Sequence, residues 1–298
     1  MNDSFPQSRN ILVSISLLLI LGCPWIFYSC QPSEEDFTTV VVEGWIEADR
    51  GPVVLITRSA NLTAGSEVAG RDLVLPMAKV TVSDGQETVT LIGGLDDRFI
   101  PGYAYTTSRM NGVCGKTYTL HVDVGQQTLT ATTTIPLDRP VLDTLYAEPT
   151  VESNGMLIHS TFSDPIAPGN RYLFFTQIYP KEKRLFPCPQ ALFADDVNAL
   201  TDSNAVVLFR GIHRLSNHEE LYTPVYQPGD SVIVAIASVD DESYRIQRAI
   251  SETTLTSYNP LFSSVSELPT NIHGGTGYWM GLSMSRYYFV IPDFTAKY

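Results

Sequence analysis

The chain has 298 residues, of which 44% are apolar and 17% are charged, and its formal net charge is −13. This composition supports a packed core and argues against disorder, and the acidic surplus argues against nucleic acid as a partner. The length is a prior for about two domains. Frequent aromatic and β-branched residues, interrupted by 20 Gly and 19 Pro, predict a mainly β chain.

The N-terminal segment has the organisation of an export signal. Residues 1–10 are polar with one basic residue, Arg9, and residues 11–29 carry no charge. This run is just long enough to span a bilayer, and it also has the polar and apolar regions of a signal peptide. A signal anchor normally has flanking Lys or Arg residues on its cytoplasmic side. A cleaved signal is therefore favoured, and an uncleaved anchor is the alternative.

Two cysteines compete as a lipid attachment site. The end of the apolar run resembles a bacterial lipoprotein signal, in which the chain is cut before a cysteine whose thiol receives diacylglycerol. Cys23 follows the better local match, ILG, but cleavage there leaves the apolar stub PWIFYS. Cleavage before Cys30 leaves CQPSEEDF, and this acidic run resembles a Bacteroidota signal for export to the cell surface. Cys30 is the predicted site, with Cys23 as the alternative, a signal peptide at 1–29 and an acidic tether at 30–38.

Alternation of apolar and polar residues predicts a first domain at 39–136. Residues 39–48 and 52–59 are joined by DRG and predict a hairpin. Three further alternating segments follow, MAKVTVSDG, KTYTLHVDV and QTLTATTTIP. The side chains predicted to face inward are Ala78, Val80, Val82, Tyr118, Leu120, Val122, Leu129, Ala131, Thr133 and Ile135. About seven short strands in roughly 100 residues predict an immunoglobulin-like β-sandwich.

A second β-rich domain is predicted at 137–298. The Pro-punctuated segment Pro136–Pro149 is interpreted as the crossing into it, and strands are predicted in MLIHSTFSDP, RYLFFTQIYP, NAVVLFRGI, DSVIVAIASV and RYYFVIP. One short helix is predicted from Ser243 to Thr254, capped by Asp240 or Asp241. Cys114 and Cys188 lie beyond the export signal, so they would meet an oxidising compartment. The sequence leaves open whether they form a disulfide or remain two free thiols.

Motifs for catalysis and metal binding are not found in the sequence. His213 and His218 are five positions apart without an intervening Glu, so they do not form a zinc-protease motif. No G-x-S-x-G sequence occurs. The basic run KEKR at 181–184 predicts a solvated loop. The sequence therefore predicts a protein that is not an enzyme and that holds no metal or cofactor, and a surface hydrolase acting on peptides or glycans is the alternative.

The segment NIHGGTGYWMG at 271–281 combines four glycines with two aromatic residues. It predicts a tight loop with positive-φ glycines. The functional alternative is a loop that offers Tyr278, Trp279 and Asn271 to a ligand or partner.

Several segments together resemble a Bacteroidota family known as domain of unknown function 4249. They are the lipoprotein signal, VVVEGWIEADRGPVVLITRSANL, FSDPIAPGNRYLFF, YRIQRAI and NIHGGTGYWMG with YYFVIP. The resemblance spans Val40 to Pro292, and IYPKEKRLFPCPQALFADDVNAL departs from it. It implies an accessory lipoprotein of a TonB-dependent outer-membrane transporter, and it brings no catalytic residues.

The expected protein is an outer-membrane lipoprotein, lipid-anchored and exposed at the cell surface, that acts as a non-catalytic binding or accessory module of nutrient uptake. Its expected partners are the membrane, through the lipid, and a TonB-dependent barrel. The ligand, whether small molecule, peptide or glycan, is left open. A structural or adhesion protein of the envelope is a further alternative.

Overall fold

The residues that the computed structural model describes are 39–59, 73–150, 155–163, 169–194, 205–211, 223–257 and 268–293. Thr39–Tyr298 forms one compact unit. The predicted lipidation residues Cys30 and Cys23 lie outside the described residues, as do His213 and His218. Within the described ranges, no helix is both long enough and apolar enough to cross a bilayer.

The described part of the chain is mainly β with one helix, as predicted. Its strands are β1 (Val40–Glu47), β2 (Val53–Arg58), β3 (Lys79–Ser83), β4 (Thr88–Leu95), β5 (Tyr103–Thr106), β6 (Thr117–Val124), β7 (Gln127–Thr134), β8 (Leu142–Pro149), β9 (Met156–Phe162), β10 (Arg171–Tyr179), β11 (Phe186–Ala194), β12 (Ala205–Leu208), β13 (Ser231–Ser238) and β14 (Thr276–Val290). The helix, α1, is Asp241–Ser257.

Strands β1–β7 follow the alternation of the sequence. Of the side chains predicted to face inward, Ala78 is partly buried and the others are buried. Apolar residues recur at every second position of these strands, so one face of each strand packs against the core and the other faces solvent. The predicted hairpin is confirmed, because β1 and β2 pair antiparallel with Val40 opposite Arg58 and Trp45 opposite Val53.

Eleven strands form one sheet in the order β11-β10-β13-β14-β1-β2-β5-β4-β3-β6-β7. The sheet curls back on itself, because the backbone N–H of Gly281 in β14 donates to Oγ1 of Thr133 in β7 at 2.8 Å. The first seven strands and the start of β14 thereby enclose one core around Trp279. The immunoglobulin-like detail is not confirmed, since β1 pairs in parallel with β14 inside this larger sheet. The boundary at 136/137 stays a prediction.

A second core lies between β10, β13 and β14 and a three-stranded sheet of order β12-β9-β8. Ile158, Phe174 and Val234 are among its fully buried side chains. The segment predicted as a crossing forms β8, which pairs with β9. Its alternation is weak because only Leu142 and Ala147 are buried.

Strand β14 begins inside the glycine-rich segment. Gly274 and Gly277 have φ values of 86° and 112°, so the prediction of positive-φ glycines holds for these two. A Cβ at Gly277 would lie 1.9 Å from the carbonyl oxygen of Val42, so glycine allows β1 and β14 to pair at this point. The tight loop therefore ends earlier than predicted, and Thr276 already belongs to the strand.

Helix α1 packs on the opposite face of the sheet from the second core. Oδ1 of Asp240 accepts the backbone N–H of Ser243 at 2.7 Å, which confirms the predicted cap. Oγ1 of Thr133 donates to Oδ2 of the same carboxylate at 3.1 Å and ties the helix start to β7. A third apolar cluster fills the space between helix and sheet, with Tyr244, Met280 and Met284 among its members.

Candidate functional site

A cavity of about 660 Å³ opens between α1 and the face of the sheet that α1 covers. Its size falls in the range of small-molecule sites. Strands β1, β10, β13 and β14 contribute to its wall. Loop residues and the ends of neighbouring strands also line it, among them Arg98, Phe99, Thr106, Thr107, Lys183, Arg184, Leu185 and Pro187. The large apolar side chains on the wall include Trp45, Phe99, Phe175, Met280, Leu282 and Met284.

The alternation of β1 and β14 decides which side chains reach the cavity. In β14 the even-numbered residues from Tyr278 to Arg286 line it, and in β1 the odd-numbered residues from Glu43 to Glu47 do. Trp45 packs edge-on against Phe99, with ring centroids 5.8 Å apart. The cavity therefore has an aromatic and methionine-rich surface with charged groups at two positions of β1.

Glu47 is buried and bound by Arg286. Nη2 of Arg286 donates to Oε2 of Glu47 at 2.6 Å, and Nη1 donates to Oε1. Nε of Arg50 lies 3.5 Å from Oε1 of Glu47. Two parallel hydrogen bonds between a guanidinium and a carboxylate fix both planes, so this side of the cavity is rigid.

Arg184 projects into the cavity without a carboxylate partner among the described residues. Its guanidinium carbon lies 5.4 Å from the ring centroid of Phe99 and 5.0 Å from that of Phe186. Its Nε is buried, and no acceptor from the described residues reaches it. Burial lowers the pKa of Arg184 from its ordinary value, although an arginine stays protonated in proteins.

The prediction that KEKR is a solvated loop is wrong for Arg184. The local sequence carries four successive charges, and only the packing of Phe99 and Phe186 around the guanidinium distinguishes one of them. The neighbouring Lys183 is bound by Asp97, and Lys181 by Asp230. The signal that could have pointed to the site is the apolar segment that follows directly, LFP.

The three residues predicted to contact a ligand or partner occupy different environments. Tyr278 lines the cavity. Trp279 points to the other face and is fully buried, and its Nε1 donates to the carbonyl oxygen of Tyr118 at 3.0 Å. The buried Asn271 side chain accepts the N–H of Trp279 and donates to its carbonyl oxygen, both at 2.9 Å. Asn271 and Trp279 are thus brought together as parts of the core, and the contact prediction is retained for Tyr278.

The described residues show no group of three or more His, Cys, Asp or Glu side chains that could hold a metal ion. Cys114 and Cys188 are both free thiols, so the disulfide alternative is not realised. Cys188 is fully buried, and burial raises its pKa to about 12. Its Sγ lies 3.7 Å from Oγ1 of Thr176. Neither cysteine lines the cavity.

A family model described as "Domain of unknown function (DUF4249)" matches residues 28–287. This range includes every residue of the cavity wall. Comparison with curated proteins gives no match.

Proposed function

The chain belongs to the family of the domain of unknown function DUF4249, and we propose that it is a non-catalytic binding module whose ligand occupies the cavity between α1 and the sheet. The module is tethered through a lipid on Cys30, with Cys23 as the alternative, at the outer face of the outer membrane. There it serves a TonB-dependent barrel in nutrient uptake. The tether and the barrel rest on the N-terminal sequence and on the family resemblance.

The cavity is the single observation that carries the proposal. Its volume of about 660 Å³ is large enough for a small molecule or a short segment of a polymer. The wall combines apolar side chains with a few polar groups, the composition common to ligand sites. Because Glu47 and Arg286 hold one another in place, part of the polar wall is already organised before a ligand arrives.

The two carboxylates of the wall favour binding over glycoside hydrolysis. Glu43 and Glu47 lie four positions apart on one strand, which places their Cα atoms about 13 Å from each other. The acid and base carboxyl groups of glycosidases are about 5 to 9.5 Å apart, so the two Glu side chains would have to bend toward each other to act as such a pair. Glu47 is also bound by Arg286, so it is not available to activate water.

A probe-binding experiment, with a substitution that fills the cavity, tests whether the cavity binds a ligand. The full chain in a mild non-ionic detergent is dialysed to equilibrium against 2-naphthamide, a neutral aromatic probe, with the same detergent on both sides. We expect saturable binding of one probe per chain and a loss of at least tenfold in affinity for Met280→Trp, whose side chain lines the wall. Ile92→Trp, at an exposed position outside the cavity, is the matched control. Equal binding by all three proteins, or none by the parent chain, would refute the proposal.

The uptake role has its own experiment. The tagged chain is expressed in its native host, extracted in mild detergent and captured, and its companions are identified by mass spectrometry. We expect a stoichiometric TonB-dependent barrel. Capture of the chain alone, with normal uptake after its deletion, would contradict the accessory role and leave the cavity proposal to its own test.

A further inference from the structure

The charges on the cavity wall do not balance. Five basic side chains line the cavity, namely Arg50, Arg98, Lys183, Arg184 and Arg286. Two carboxylates, Glu43 and Glu47, line it as well. Asp96 and Asp97 bind Arg98 and Lys183, respectively. Counting these nine described side chains together leaves one positive charge, in a chain whose net charge is −13.

Of the five basic side chains, Arg184 is the one to which no carboxylate of the described residues is bound. Arg98 forms a two-pronged pair with Asp96, with Nη2 to Oδ2 at 2.6 Å. Arg50 and Arg286 share Glu47. Among the described residues, no carboxylate lies within ion-pair distance of Arg184, and its buried Nε has no acceptor. A buried polar group without a partner is unfavourable, and the same guanidinium lines the cavity, where its terminal nitrogens can bind an acceptor that a ligand brings.

We propose that Arg184 binds a single carboxylate of an otherwise apolar ligand, which rests on the proposed function because it takes the cavity as the ligand site. The planes of Phe99 and Phe186 hold the guanidinium in place beside the apolar wall. A guanidinium binds a carboxylate through two parallel N–H donors, and the terminal nitrogens Nη1 and Nη2 of Arg184 serve as these donors, since Nε is enclosed by protein.

The size of the positive charge left on the cavity wall distinguishes a carboxylate from a phosphate monoester as the bound group. A carboxylate carries one negative charge and neutralises the wall. A phosphate monoester carries nearly two at neutral pH and would leave a negative charge facing Glu43, which is buried on the same wall. The cavity therefore fits a monovalent organic acid with an aromatic or aliphatic body, held against Trp45 and the methionines of β14.

Three naphthalene probes test this assignment by equilibrium dialysis of the full chain. They are 2-naphthoate, 2-naphthamide and 2-naphthyl phosphate, which share one body and differ in charge. We expect naphthoate to bind at least tenfold more tightly than naphthamide, because a hydrogen bond to a charged group exceeds one tenfold step in Kd. We expect naphthyl phosphate to bind more weakly than naphthoate.

Variants test whether Arg184 causes the preference for naphthoate over naphthamide. Arg184→Gln should reduce the naphthoate preference to within about threefold, whereas Arg184→Lys should keep part of it because the charge remains. Arg98→Gln removes a guanidinium that already has a carboxylate, so the preference should persist. If a variant fails to fold, the parent chain still tests the assignment, because equal binding of naphthoate and naphthamide to it would overturn the assignment. A preference unchanged in a folded Arg184→Gln protein, or tighter binding of naphthyl phosphate, would overturn it as well. Failure of all three probes to bind the parent chain would instead refute the proposed function.

Discussion

Replacing Glu47 by Gln removes a negative charge from the cavity wall and leaves the guanidinium of Arg286 without its counter-ion. The Glu47 side chain is 7% exposed and that of Arg286 is 28% exposed. Breaking a fully buried ion pair by removing one partner destabilises a protein by about 3–5 kcal/mol. Because water reaches part of Arg286, we expect the free energy of unfolding to fall by about 2–3 kcal/mol.

Urea unfolding followed by circular dichroism measures this loss, and thermal unfolding gives a second readout. For a chain of this size, each kcal/mol lowers Tm by about 2–4 °C, so the expected drop is about 4–12 °C. The double variant Glu47→Gln with Arg286→Gln should recover at least about 1 kcal/mol of the summed single losses, because the two side chains are in contact.

Arg50→Gln is the matched control for the pair. Arg50 is 62% exposed and its Nε lies 3.5 Å from Glu47, so its loss should change the unfolding free energy by no more than about 0.5 kcal/mol. The reasoning fails if Glu47→Gln loses no more stability than Arg50→Gln. It also fails if the losses of Glu47→Gln and Arg286→Gln simply add.

Buried or tightly bonded groups elsewhere in the chain should respond to substitution, labelling and pH. Thr133→Val leaves a backbone N–H of β14, now bonded to the hydroxyl at 2.8 Å, without an acceptor, and urea unfolding should show a loss of about 1–3 kcal/mol. Because burial raises the pKa of Cys188 to about 12, iodoacetamide at pH 8 should label the partly exposed Cys114 and spare Cys188, and mass spectrometry should find both labelled only after unfolding. Hydrogen bonds, the one from the backbone N–H of Glu87 foremost, hold the pKa of Asp84 well below its ordinary value. The ionised Asp84 therefore stabilises the fold above pH ~4, and this stabilisation is lost as the pH falls further. Asp84→Asn should flatten the dependence of Tm on pH below pH ~4, and an unchanged slope would contradict this.

The local sequence determined which segments of this chain form strands and which forms the helix. Alternation at period two orients side chains on a strand whatever the strand pairs with, so the inward positions of β3, β6 and β7 could be assigned in advance. The cap of α1 was equally local, because Asp240 bonds an amide three residues ahead. The prediction placed the helix at Ser243–Thr254, shorter at both ends than Asp241–Ser257, since helix ends depend on packing as well as on propensity.

The cavity was decided only by tertiary structure. Glu47 and Arg286 lie 239 positions apart, and they meet because β1 and β14 pair in parallel. The sequence predicted a loop that offers Tyr278 and Trp279 together, whereas strand β14 points them to opposite faces. Which face becomes core and which becomes cavity depends on the strands and helix that pack there. Arg184 stands in a charged run, and its isolation arises from two aromatic rings that folding brings to it. Periodicity is a property of neighbouring residues, whereas the environment of a charge depends on every segment that excludes water from it.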